Sequence, residues 1–371
     1  MKITLSLDAL LKGLSHVQSV VEKRNTIPIL ANALIRAEGS SVSITATDME
    51  IEINESIDAQ TGEAGAITAP AHTLYEIARK LPSGAQVEIA TGNPNQITLT
   101  SGRSHFKLGC LPVEDFPVMP SSDMTRSFSV SSSDLRDLID RSRFAMSTEE
   151  TRYYLNGIYL HVASNKKVEV LRAVATDGHR LARVEMPAPE GSSGIPGVIL
   201  PRKTVAEVRK LIEGDDNEVE ISLSESKVRF AIGKIVITSK LIDGTFPDYE
   251  RVIPSGNDKV LEVDARSFAA AVDRVATISS EKSRAVKLSM EQGRVVLTAN
   301  SPDAGSATEE IEAKYESSSL DMGFNARYLL DILQQVAGDG ARFTLADATA
   351  PAIIQDVSDS SALYVLMPMR V

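Results

Sequence analysis

Hydrophobic positions along this chain switch between a period near two and a period near 3.6, and the switches come in the same order three times. Three stretches open a unit: TLSLDALLKGLSHV (4–17), FSVSSSDLRDLIDRS (128–142) and LEVDARSFAAAVDRV (261–275). Each reads as a short alternating strand followed by a helix. Ser6, Ser131 and Asp264 stand at the N-cap, where a side-chain oxygen accepts from the free N–H groups of the first turn. Leu10/Leu14, Leu135/Ile139 and Phe268/Val272 then mark one buried helical face by i, i+4 spacing.

The next stretches, 42–53, 170–184 and 295–311, read as strand, turn and strand, with TATD, ATDG and TANS at the turns. Asn and Asp suit such turns because their side chains bond back to the local backbone. A second helix recurs at 69–82, 200–212 and 324–336, with Pro70 and Pro201 near the start of the first two. Each unit closes with strands at 87–117, 219–247 and 341–368. The pattern predicts an α+β fold of three similar domains, 1–122, 123–255 and 256–371, each with two helices and a mostly antiparallel sheet. The expected helices are 7–24, 70–81, 131–145, 201–213, 264–280 and 325–336.

Composition narrows the class. No run of 18 apolar residues exists, so no transmembrane helix is expected, and the N-terminus lacks the pattern of a secretory signal. Cys110 is the only cysteine, which excludes an internal disulfide and a Cys-rich metal site and makes a reducing cytoplasm the default. The net charge of −11 excludes a protein coated all over with DNA-binding cations. The charge is unevenly placed, however. The six expected helices hold 15 Lys and Arg against 11 Asp and Glu, so strands and loops carry the acidity. If the helices share one surface, that surface is mildly cationic and suited to phosphate.

Motifs for catalysis are sparse. The sequence has no phosphate-binding Gly-rich loop, no dinucleotide fingerprint and no His-Glu-x-x-His, and none of the five histidines has a partner at metal-ligand spacing. No cofactor and no metal is expected. The one enzyme-like cluster is Asp177, His179 and Arg180, which could serve a hydrolase-like reaction. Asp-Gly at 177–178 is first of all a tight-turn signal.

The strings ATDGHRLA (175–182), RYYLNG (152–157), DGTFPDYERVIP (243–254) and YVLMPMRV (364–371) resemble the bacterial β sliding clamps, the β subunits of DNA polymerase III. The resemblance spans the chain, including its threefold repeat. It implies the DNA clamp fold and a head-to-tail homodimer, a ring of six domains around duplex DNA. The implied role is that of a cytoplasmic, non-catalytic processivity factor of DNA replication, one that slides without sequence preference and has no membrane association. Implied partners are the replicative polymerase catalytic subunit, an ATP-dependent clamp loader, and other polymerases and repair proteins carrying a clamp-binding peptide.

Carried over by position, the peptide pocket comprises Leu155, Thr176, Gly178, His179, Arg180, Leu181, Pro247, Arg251, Val252, Val365, Met367, Pro368, Met369 and Arg370. The DNA contacts are Arg24, Tyr153, Tyr154 and Arg202; Thr148 stands where some members carry a His. The dimer interface is expected on Phe106 and Leu108 of the strand 103–110, opposite Ile278. A peptide-binding scaffold that never encircles DNA is the remaining alternative.

Overall fold

The computed structural model describes residues 1–22, 26–93, 95–120, 123–165, 167–214, 217–279 and 284–370. Arg24, expected at DNA, lies outside them.

The first repeat contains β1 (Lys2–Ser6), α1 (Leu7–Val17), β2 (Asn32–Glu38), β3 (Ser41–Thr47), β4 (Ile51–Asp58), β5 (Gln60–Glu63), β6 (Gly65–Pro70), α2 (Ala71–Lys80), β7 (Gln86–Asn93), β8 (Gln96–Ser101) and β9 (Ser104–Gly109). The second contains β10 (Arg126–Ser131), α3 (Ser132–Asp140), β11 (Gly157–Asn165), β12 (Val168–Thr176), β13 (Arg180–Pro187), β14 (Val198–Pro201), α4 (Arg202–Leu211), β15 (Glu218–Leu223), β16 (Lys227–Ile232) and β17 (Ile235–Lys240). The third contains β18 (Lys259–Asp264), α5 (Ala265–Ala276), β19 (Ala285–Glu291), β20 (Arg294–Ser301), β21 (Gly305–Glu312), β22 (Lys314–Tyr315), β23 (Leu320–Asn325), α6 (Ala326–Leu333), β24 (Gly340–Leu345), β25 (Ala352–Asp356) and β26 (Ala362–Leu366).

Local chemistry explains the helix starts. Ser6 accepts from the Ala9 N–H at 3.3 Å, Ser131 from Asp134 at 3.0 Å and Asp264 from Ser267 at 2.7 Å. Each cap contributes about 1 kcal/mol. The helices end earlier than their apolar patterns predict. After Val17 the chain continues in turns, with Val20 N–H donating to Val17 O and Val21 N–H to Gln18 O. Val20 and Val21 are still buried, so their burial extends the helical pattern past the point where helical hydrogen bonding stops. The same happens at Thr277, Ile278 and Ser279, whose N–H groups reach back three residues.

The sheets join repeats to one another. One sheet runs β10-β15-β16-β17-β4-β3-β2-β6, and another runs β14-β11-β12-β13-β26-β25-β24-β18-β22. The seams are antiparallel: Ile237 lies opposite Ile53 at β17–β4, and Ala182 opposite Tyr364 at β13–β26. A five-stranded sheet, β5-β1-β7-β8-β9, and a four-stranded sheet, β21-β20-β19-β23, complete the described strands.

The three repeats are thus shared between two compact units. One is Met1–Arg136 with Pro189–Ile195 and Lys203–Leu241; the other is Asp137–Ala188 with Pro196–Arg202 and Ile242–Val371. The middle repeat gives one half-sheet to each, so the boundaries expected at 122/123 and 255/256 do not coincide with this division.

In the first unit Leu7, Leu10, Leu14 and Val17 of α1 are buried, and α2 adds Leu74 and Ala78. In the second, α5 buries Phe268, Val272 and Val275, and α6 buries Leu329, Ile332 and Leu333. Full burial stabilises by about 1.5–3 kcal/mol for each large apolar side chain.

Candidate functional site

The second unit holds a pocket of about 270 Å³ built from four segments. A 3-10 turn, Glu150–Leu155, supplies Arg152, Tyr154 and Leu155. The end of β12, the following turn and the start of β13 supply Thr176 and Gly178–Leu181. The loop after β17 supplies Pro247, Tyr249 and Val252, and the end of β26 supplies Val365 and Met367. The floor is a buried cluster that includes Leu155, Val174, Leu181, Phe246, Tyr249 and Val365.

The β12–β13 turn is rigid for reasons visible in its residues. Asp177 Oδ1 accepts from the N–H groups of His179 at 2.9 Å and Arg180 at 3.0 Å. The Thr176 hydroxyl donates to Arg180 O at 2.7 Å and accepts from Gly178 N–H at 3.1 Å. Gly178 has φ of 88°, and a Cβ there would stand 2.6 Å from Arg152 Nη1. Only glycine meets both the conformation and the space.

Arg180 is fully engaged. Its guanidinium pairs with Asp177 at 3.1 Å and Asp331 at 2.5 Å, donates to Phe144 O at 2.7 Å, and lies over Tyr328 at 4.4 Å from the ring centroid. Only its stem is left to line the pocket. His179 stacks on the same Tyr328 ring at 6.2 Å.

Behind the floor lies a buried polar network. The Tyr249 hydroxyl accepts from Arg172 at 3.1 Å and meets His161 Nε2 at 3.0 Å. Arg172 also pairs with Glu185 at 2.7 Å and Glu250 at 2.9 Å. Burial, with help from the Arg172 charge, lowers the His161 pKa to about 4. Burial likewise raises that of Tyr249. At the mouth, Arg152 makes two bonds to Glu149, at 2.8 and 2.6 Å.

Ten of the fourteen residues carried over to the pocket line it: Leu155, Thr176, Gly178, His179, Arg180, Leu181, Pro247, Val252, Val365 and Met367. Arg251 does not; its side chain is 85% exposed and paired with Asp248. Pro368, Met369 and Arg370 do not line it either. The tail leaves the pocket because Met367 N–H donates to His179 O and Met369 N–H to Gly323 O, strapping Met369 onto β23. Arg152 and Tyr249 were missed, although RYYLNG and DGTFPDYERVIP contain them.

Two residues expected at DNA, Tyr154 and Arg202, also make contacts within the fold. Tyr154 turns into the pocket, while Tyr153 stays 53% exposed. The Arg202 guanidinium donates to Met146 O and Ser147 O, and burial lowers its pKa; it braces the turn at 146–147. Of the interface residues, Phe106, Leu108 and Ile278 are all half-buried.

Comparison with known proteins decides the family. Descriptions of the DNA polymerase III beta subunit match the chain end to end: the N-terminal domain at 1–120, the central domain at 129–248 and the C-terminal domain at 250–370. The chain belongs to the beta sliding clamps.

The beta sliding clamp of Caulobacter vibrioides is 55% identical over all of both chains, and that of Escherichia coli K12 is 37% identical, again over all of both. A sliding clamp (DNA polymerase III subunit beta) from Bartonella birtlesii, solved bound to griselimycin, superposes with a TM-score of 0.97 at 52% identity over the whole of both chains. This clamp is a processivity factor, a non-catalytic subunit of DNA polymerase III. The enzyme reading of Asp177, His179 and Arg180 is not favoured, because the Asp177 carboxylate and the Arg180 guanidinium are consumed in holding the turn. No helix among the described residues is long and apolar enough to cross a membrane.

Proposed function

We propose that two copies of this clamp close head to tail into a six-domain ring around duplex DNA, with domains at 1–122, 123–255 and 256–371. One observation carries the reading. At both internal seams, the last strand of one repeat's second half-sheet (β4, then β13) pairs with the last strand of the next repeat (β17, then β26). The third repeat's equivalent of β4 is β21, and the first repeat's equivalent of β17 is β9. Each is an edge strand with no outer neighbour among the described residues.

Open edges are templates for pairing. A heterologous contact repeated by a two-fold axis closes the ring without free ends. The internal seams also set the register. Ile53 and Ala182 correspond to Ala307, and Ile237 and Tyr364 correspond to Phe106, so Phe106 falls opposite Ala307 of the second copy. Charge agrees with this pairing: Arg103 and Lys107 flank one edge, and Glu309, Glu310 and Glu312 the other. Phe106, Leu108 and Ile278 supply the apolar part.

A closed ring needs only weak phosphate contacts, which let it slide. The pocket in the second unit takes short apolar peptide segments of the replicative polymerase, the clamp loader and repair proteins. A Leu and a Phe buried there gain about 1.5–3 kcal/mol each before ordering costs, which makes binding exchangeable. The reading places the protein in the cytoplasm.

The interface is tested by Phe106→Glu combined with Ile278→Glu, read by sedimentation. Monomers are expected; an unchanged dimer would sink the proposed seam. Retention on circular but not linearised DNA, after loading, separates the ring from a scaffold that never encircles DNA.

A further inference from the structure

The second residue of the second helix is basic in every repeat: His72 in α2, Lys203 in α4 and Arg327 in α6. In two of them the side chain is spent inside the fold. His72 Nε2 donates to Val21 O at 2.9 Å, and Nδ1 meets Gln18 Oε1 at 2.9 Å. Lys203 donates to Val20 O at 3.1 Å and pairs with Asp48. Both thus satisfy carbonyls just past the end of α1, which helix geometry leaves without partners.

Arg327 is different. It is exposed, and its guanidinium has no hydrogen bond or ion pair among the described residues. It lines a cleft of about 410 Å³ between the end of α5 and the start of α6. Arg284 lines the same cleft, is likewise exposed, and is likewise without a side-chain partner among the described residues. Thr277 and Ser279 add hydroxyls to the walls. Asp331, the carboxylate in the lining among the described residues, is already held by Arg180 at 2.5 Å, so it does not cancel the two cations. Two guanidinium groups without partners among the described residues, on one cleft whose Asp331 is already paired, form an anion site shaped by side chains.

We infer that the Arg284–Arg327 cleft binds phosphodiester groups of the duplex, giving the third repeat a DNA contact that the first two lack at this position. The inference rests on the proposal that the clamp encircles duplex DNA. Contacts of this kind position without reading bases, as sliding requires.

The test uses the full-length protein and a labelled short duplex of mixed sequence, followed by fluorescence anisotropy across a salt series. Each phosphate contact contributes about 0.9 to the slope of log affinity against log salt. Arg284→Ala with Arg327→Ala should lower the slope by about 2. Arg284→Lys with Arg327→Lys should keep it near wild type. The unfolding temperature should not change, since both side chains are exposed. A double alanine variant with the wild-type slope overturns this site while leaving the ring intact. A wild-type protein that, once loaded, is not retained on circular DNA overturns the ring reading as well.

Discussion

Two turns in this molecule are built alike and do different things. In the first repeat, Asp48 Oδ1 accepts from Glu50 N–H at 2.9 Å and Ile51 N–H at 2.8 Å, while the Thr47 hydroxyl donates to Ile51 O and accepts from Met49 N–H. In the second repeat, Asp177, Thr176, Gly178, His179 and Arg180 make the same bonds. Both third positions have positive φ, 76° at Met49 and 88° at Gly178. The backbone device therefore does not depend on the pocket. What differs is the surroundings: Met49 is 47% exposed, whereas Gly178 lies beneath Arg152 on a cavity floored by Leu155, Leu181 and Val365. A turn becomes a binding element only when a neighbouring segment walls it in.

The sharpest way to break that comparison is to transplant the difference. Gly178→Met copies the first repeat's residue into the second. Its Cβ would start 2.6 Å from Arg152 Nη1, so Arg152 must leave Glu149 or the turn must shift. Affinity for a clamp-binding peptide, measured by calorimetry, should fall more than about tenfold, equivalent to about 1.4 kcal/mol. The strained φ costs about 1 kcal/mol, offset in part by the lower freedom of methionine in the unfolded chain. Unchanged peptide affinity would mean that the cavity beside Gly178 is not the peptide site.

The threefold repeat was legible because it rests on local rules. Caps at Ser6, Ser131 and Asp264, apolar spacing on the helices, and Asp-centred turns are all written in neighbouring residues. The pocket was half legible. Its turn and the residues on β13 and β26 could be placed by resemblance, but Tyr249 and Arg152 join it through contacts with residues far away in sequence. A hydrogen bond from Arg172, which the sequence does not announce, fixes the Tyr249 hydroxyl. Arg202 shows what a local pattern leaves out. A basic residue at a helix start reads as available charge, yet two carbonyls at 146 and 147 had already claimed it. Nor can a sequence say that the middle repeat divides its strands between two sheets, because that depends on seams formed across repeats.

A second, smaller difference between the two turns is what lies behind them. Only the pocket turn's neighbour, Tyr249, is backed by a buried histidine. His161 has a folded pKa of about 4, against about 6.5 unfolded. The unfolded chain therefore binds a proton first as pH falls. The contribution of neutral His161 to stability is present above about pH 6.5 and is lost progressively toward pH 4. Chemical denaturation of the wild type should show a loss on the order of 2 kcal/mol over that range from this group. His161→Phe should flatten that part of the profile. A variant whose pH profile matches the wild type would mean that His161 is as solvated as a free imidazole.

The smallest effect belongs to the reverse transplant, Met49→Gly. Relief of a positive φ favours the variant by about 1 kcal/mol. Greater freedom of glycine in the unfolded chain costs about 0.4–1 kcal/mol. The methionine's partial exposure means that little buried area is lost. These terms nearly cancel, so the unfolding temperature should move by no more than about 2 °C. Peptide affinity should stay at the wild-type value, because no residue of this turn lines the peptide pocket. A large loss of peptide binding on Met49→Gly would show that the first repeat's turn also receives a partner, and the contrast between the two turns would collapse.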